Sequence, residues 1–276
     1  MPAELITAVA LYGTKTGHFK ILLETVQAIL SERLRDRFRP YALDQIHGTV
    51  IRLDGVADAQ AGFVVNLRYL EVTGVPRAMD HARALEILAA HLTPPLSIRI
   101  GGYGPGTAAT FSSRGQHPHE RMFSVQGDAF VLVGWPVSTV TNGIAPGPLD
   151  DLRRAMNDAN IVHWYHRSSA DIDNDFHLVI GHHNGAPQRE TEEAVSAVRA
   201  YLAQHPVQAE VGVDQIAIIS ADSPTLAPAR FIGRLPIDSA DIVNLYRYSP
   251  HQLGIFNGWG CGGWRASPVL AMSPHR

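Results

Sequence analysis

Two short stretches of this 276-residue chain hold residues able to move protons beside a phosphate. In Gln45-Ile-His-Gly-Thr-Val-Ile-Arg-Leu53, His47 and Thr49 stand two apart; in Asp175-Phe-His-Leu-Val-Ile-Gly181, His177 and Val179 do the same. Side chains alternate along a strand, so each pair shares one face while Ile46, Gly48 and Val50 take the other. An imidazole in an apolar strand needs a partner or a cavity. Taken singly, each fits a rim histidine with one hydrogen bond, but the pattern occurs twice, each time after a helix-forming segment. Two imidazoles that titrate near neutrality can take a proton from an attacking oxygen and deliver one to a leaving oxygen. A neighbouring hydroxyl such as that of Thr49 can donate to a non-bridging phosphate oxygen.

The segments that must position these strands follow from hydrophobic period and turn residues. Leu5 to Tyr12 reads as a strand ended by Gly13, and Phe19 to Leu34 as a helix closing in Arg33, Arg35, Arg37 and Arg39 before Pro40, a solvated end suited to the helix dipole. Ile46 to Leu53 and Gly62 to Val72 are expected to be extended, and Met79 to Leu92 helical up to Pro94 and Pro95. Leu96 to Ile100 runs into Gly101, Gly102, Gly104 and Gly106, a turn whose spacing matches neither a P-loop nor a dinucleotide fingerprint. Gly127-Asp128 marks a hairpin within Met122 to Val137. Leu149 to Met156 and Glu190 to Gln204 read as helices, and Asp175 to Gly181, Val211 to Ser220 and Phe231 to Ile237 as strands. This order predicts an α+β fold, not a doubly wound sheet.

Composition narrows the function classes. With 23 basic and 26 acidic side chains the formal charge is −3, which argues against coating extended duplex nucleic acid and leaves room for a short nucleotide. One cysteine, Cys261, against 14 histidines excludes multi-cysteine zinc ribbons and an intrachain disulfide. Met1 to Gly13 lacks the basic start of a signal peptide and no apolar run approaches a membrane span, so a soluble cytoplasmic protein without a membrane partner is expected.

The paired motifs and the order around them resemble the two-histidine (2H) phosphoesterase superfamily, which includes RNA 2′,3′-cyclic phosphodiesterases known as 2′-5′ RNA ligases. His47-Gly48-Thr49 is followed by the apolar Val50-Ile51 that the family favours, and Val211 to Leu226 is similar to its penultimate strand and Ser-x-Leu turn. The resemblance spans roughly Leu5 to Ile237. It implies residues 1–237 as one bilobal pseudo-symmetric domain, two antiparallel-rich sheets facing a central cleft with helices outside, and residues 238–276 as a Trp, Gly and Pro-rich extension. It further implies a phosphodiesterase needing no metal or other cofactor and acting on a nucleotide or short RNA with a 2′,3′-cyclic or 2′-linked phosphate. His47 and His177 would be the acid/base pair and Thr49 a phosphate donor. Loop insertions are expected at Asp54 to Gly62 and Thr107 to Glu120.

One position departs from the family. Val179 stands where the second motif carries a hydroxyl, and losing one such donor costs about 3 kcal/mol in an oxyanion site. The departure predicts a slower enzyme, a donor supplied from elsewhere, or a catalytically weakened nucleotide-binding relative. Tyr12, at the end of the first strand, is placed to stack on a base, or to pack as an ordinary strand-end aromatic. Trp259 and Trp264 either close over a nucleotide or seal the core. A His/Asp metallohydrolase is the remaining alternative: His163-x-x-His166 has ligand spacing only if helical, and Asp171, Asp173 and Asp175 alternate without completing a calcium loop.

Overall fold

A computed structural model describes residues 5–58, 63–108, 111–137, 147–166, 168, 170–221 and 229–247. The chain opens with β1 (Leu5–Ala10), α1 (Gly17–Leu34), β2 (Phe38–Pro40) and β3 (Gly48–Arg52). A small hairpin follows, β4 (Gly55–Asp58) and β5 (Phe63–Asn66), then α2 (Leu67–Thr73), α3 (His81–His91) and β6 (Leu96–Ile100). Next come α4 (Pro118–Arg121), β7 (Phe123–Gln126), β8 (Ala129–Pro136) and α5 (Pro148–Ala155). The last elements are β9 (Phe176–His183), α6 (Gln188–Gln204), β10 (Val207–Val211), β11 (Ile216–Ala221), β12 (Arg230–Arg234) and α7 (Ser239–Arg247).

The fold is α+β with a large antiparallel sheet, ordered β10-β6-β8-β9-β3-β1-β11-β12, with β2 paired to β9 and β7 to β8. The two motif strands are central neighbours, each leading outward through three further strands. The sequence led us to expect two sheets. Apart from the β4-β5 hairpin, which is a two-stranded sheet of its own, the described strands instead form one hydrogen-bonded sheet of ten, joined at this seam by the single register pair Gly48↔Leu178. The sheet cannot be flat. β10 and β11 stand six strand steps apart, about 29 Å in a planar sheet, yet residues 212–215 join them, a reach of about 18 Å.

Apolar periodicity explains the packing. Helix α1 buries Leu22, Leu23, Val26, Leu30 and Leu34, one stripe at helical spacing, and α6 buries Ala194, Val195, Val198 and Leu202. On β9 the alternation is plain: Phe176, Leu178 and Ile180 are buried, while His177 and Val179 are partly exposed.

Two expected elements differ. The extended run from Gly62 to Val72 is a strand only to Asn66, whose side chain accepts from the Tyr69 N–H and caps α2; Gly74 then ends that helix in the left-handed region. The strand read from Val211 to Ser220 is broken by Gly212 and a short 3-10 turn, so its start closes β10 and the remainder forms β11, far apart in the sheet. Beyond Ile237, α7 buries Ile242 and Tyr246 in the same core, the Tyr246 hydroxyl donating to the Leu53 carbonyl. Trp259, Cys261 and Trp264 lie outside the described residues.

The glycine inside the first motif has a steric reason. A Cβ on Gly48 would fall within the Phe176 ring, which lies across the seam. Gly48→Ala is therefore expected to destabilise the protein by about 1–3 kcal/mol in urea unfolding. Gly106→Ala, at an exposed position where a Cβ meets nothing, is the control expected to stay within about 0.5 kcal/mol.

Candidate functional site

The register places four side chains on one face of the seam. Because Gly48 faces Leu178, the antiparallel pairing sets His47 opposite Val179 and Thr49 opposite His177. The histidines occupy one diagonal of this rectangle, with backbone positions roughly 7–8 Å apart. Two imidazoles at that separation can flank a single tetrahedral phosphate.

His47 sits at the entry to β3, after a 3-10 turn spanning Leu43–Gln45, and is 7% exposed. Its Nδ1–H donates to the Gln45 carbonyl at 2.7 Å, which leaves the Nε2 lone pair without a protein partner among the described residues. Burial holds its pKa down to about 4, opposed by the Gln45 hydrogen bond and aided by the nearby Lys15 ammonium. Tyr12 lies beside it, ring centroids 6.0 Å apart, and stacks on Phe231 at the same distance. The Tyr12 hydroxyl donates to the Ala229 carbonyl and accepts from Gln45. A cavity of about 350 Å³ opens beyond Tyr12, lined also by Lys15, Phe19, Glu210, Asp214 and Arg234. The Thr49 hydroxyl has no protein partner among the described residues.

His177 sits in a charged network. Arg121 donates one Nη2–H each to His177 Nε2 and to Asp175 Oδ2, both at 2.9 Å. A guanidinium has no lone pair to offer, so the imidazole accepts and is neutral. Burial pushes its pKa down, and Arg114 and Arg121 do likewise, against the pull of Asp175 and Asp173. Asp175 Oδ1 accepts from Ser113 at 2.6 Å and from the Trp135 indole at 2.7 Å. Burial opposes ionisation of this carboxyl, but His177, Arg121 and Ser113 hold its pKa below the ordinary value. Arg114 bridges Asp173 and Asp175 and lies 3.7 Å over the Tyr165 ring, whose centroid is 6.3 Å from that of His177.

Where the two strands part beyond Gly48 and Leu178 lies Arg153 of α5, 1% exposed. It donates to the carbonyls of Thr49 and Val50 on one strand, and of Asp173 and Asp175 leading into the other. The Asp173 carboxylate lies 3.5 Å from its Nη1. This guanidinium supplies hydrogen bonds where the ladder between β3 and β9 has ended.

The expected site residues His47, Thr49, His177 and Val179 thus share one face, with Tyr12 at the rim. His163 and His166 lie in a turn rather than a helix, and each is spent on its own carboxylate: His163 on Asp173 and His166 on Asp150, both at 2.8 Å. No group of three or more His, Cys, Asp or Glu disposed to hold a metal ion occurs among the described residues. Sequence reasoning missed Arg114, Arg121, Arg153 and Tyr165. Asp175 carried a usable signal, since a residue two before His177 in a strand points to the same face. No family model matches the chain, and no curated protein matches it.

Two outcomes follow. Arg153→Met strips four carbonyls and a buried carboxylate of their donor, and should lower unfolding stability by about 3–5 kcal/mol in urea titration. The second concerns pH. His47 and His163 are depressed from 6.5 to about 4 and about 3, both by burial first, so the folded state favours their neutral forms. Their contribution is complete above pH 6.5 and is lost as pH falls through those values. His47→Gln should therefore flatten the acid limb between pH 7 and 4, recovering up to about 3 kcal/mol of the loss seen in wild type.

Proposed function

We propose that the chain is a metal-independent phosphodiesterase that hydrolyses a nucleotide or RNA 2′,3′-cyclic phosphate, or a related 2′-linked phosphodiester, by two-histidine acid/base catalysis. The observation that carries this reading is the register pair Gly48↔Leu178, from which antiparallel geometry sets His47 and His177 on one diagonal of the seam with the Thr49 hydroxyl on the same face. The strand order supports the bilobal two-histidine arrangement, since β3-β1-β11-β12 and β9-β8-β6-β10 run outward from that seam as matching halves.

The roles follow from tautomer and charge. His47 is the base, because Gln45 fixes its proton on Nδ1 and leaves Nε2 to accept. It takes a proton from water as the water oxygen bonds to phosphorus. His177 is the acid, with the Asp175 carboxylate 3.7 Å from its Nε2 to stabilise the imidazolium. It gives its proton to the leaving ribose oxygen as the P–O bond breaks. Thr49 donates to a non-bridging oxygen as charge builds there.

A second reading is supported by Val179 and by the Arg121 hydrogen bond on His177: a weakened or silent member that binds nucleotide without turning it over. Assay with 2′,3′-cyclic nucleotides and 2′-5′-linked dinucleotides in the presence of EDTA separates the two. Under the enzymatic reading His47→Ala and His177→Ala each lower kcat by about 10²–10⁴-fold while the fold persists. Unchanged turnover in both variants removes the mechanism, and calorimetric nucleotide binding without hydrolysis selects the second reading.

A further inference from the structure

The structure leaves a contradiction at His177 that its surroundings resolve. In the neutral imidazole that accepts from Arg121, the ring proton is on Nδ1 and the Nε2 lone pair is occupied. That ring can neither protonate a leaving group nor accept a proton at Nε2. Arg121 itself is 5% exposed, and its Nε–H is buried without a hydrogen-bond partner. Its Nη1 likewise has none among the described residues. A buried guanidinium with spare donors beside the reacting histidine is held short of its hydrogen-bonding capacity. What satisfies such donors is a planar or tetrahedral oxyanion, for which a guanidinium fork is geometrically matched.

We infer that Arg121 is the phosphate ligand of the His177 half-site, standing in for the hydroxyl that Val179 lacks, and that phosphate binding draws it off Nε2 and so releases His177. This rests on the phosphodiesterase reading of the same site. Arg121 reaches the seam from α4, beyond β8, and need not leave Asp175 to turn: that carboxylate shares the same Nη2 with His177 and anchors the guanidinium while its other nitrogens meet phosphate oxygens. With Nε2 vacated, the imidazole faces the carboxylates Asp175 and Asp173 on its own lead-in. The remaining charged or titratable neighbours are Arg114, from the loop before α4, and Tyr165, from the turn after α5. Asp175 then favours a proton on Nε2, the state an acid needs. The site thus arms its acid when an oxyanion is present.

The test reads binding and the imidazole directly. Inorganic phosphate is titrated into the full-length protein at constant ionic strength and pH 6.5, with calorimetry and two-dimensional ¹⁵N–¹H spectra of the histidine rings. Free protein should show His177 neutral with the proton on Nδ1, turning to imidazolium at saturation. Arg121→Gln should weaken phosphate binding about 10- to 100-fold, and adding Val179→Thr to that variant should recover at least half of the loss on a logarithmic scale. Arg121→Lys keeps the charge but not the fork, and should fall between; it also provides the reading if Arg121→Gln does not fold. An unchanged phosphate Kd in folded Arg121→Gln or Arg121→Lys overturns the inference, as does a His177 signal indifferent to saturating phosphate or an absence of phosphate binding in wild type. Failure of the enzymatic reading looks different: no turnover of any cyclic or 2′-linked substrate, with the phosphate response intact.

Discussion

A buried guanidinium in the split between two strands holds this site together. Strands β3 and β9 share one register pair and then part, and every backbone carbonyl left in the gap must find a donor or carry a desolvation cost. Arg153 answers four of them from a single side chain, with Asp173 balancing its charge. Because the guanidinium is planar and rigid, it sets the width of the gap as well as filling it. The separation of the two histidines, one on each strand, is inherited from that width. Gly48 contributes from the core side by letting the Phe176 ring cross the seam.

The halves are alike in strand order and unlike in electrostatics. On the His47 side the imidazole has one backbone partner, an aromatic neighbour in Tyr12 and a lysine close enough to disfavour protonation. On the His177 side, carboxylates and arginines alternate through the interior, and each acid there is matched by donors: Asp150 accepts from His166, Arg154 and the Asp173 N–H. Burial works against its ionisation, but those hydrogen bonds bring its pKa down to about 2. Under the proposed reaction this asymmetry is what divides the labour, since a base must be neutral and open while an acid needs a carboxylate within reach.

Much of this was legible in the chain. Strand alternation around His177, the Gly127-Asp128 hairpin and the helical stripe of α1 all appear where the pattern places them, because each is decided by neighbours within a few residues, whereas the strand expected from Ile46 begins only at Gly48, one residue after His47. The parts not legible depend on distant pairing. Nothing local to Arg121 indicates that it meets a histidine 56 residues later, and Arg153 reads as an ordinary surface arginine of a polar helix although it is buried. The alternation of Asp173 and Asp175 completes no calcium loop in the sequence, but nothing in it indicates the three arginines that surround them. Gly212 was read as part of a continuous strand, when it marks the point at which the chain crosses from one edge of the sheet to the other half.

The central claim is that His47 and His177 act on one phosphorus atom. A crystal structure of the protein with a nucleoside 2′,3′-cyclic vanadate, a mimic of the five-coordinate transition state, tests it most directly. The account predicts one vanadate over the seam with both Nε2 atoms within hydrogen-bond distance, about 3 Å, of oxygens on opposite sides of the metal, and the Thr49 hydroxyl on an equatorial oxygen. A vanadate touching only one imidazole, or bound away from the seam, would contradict it.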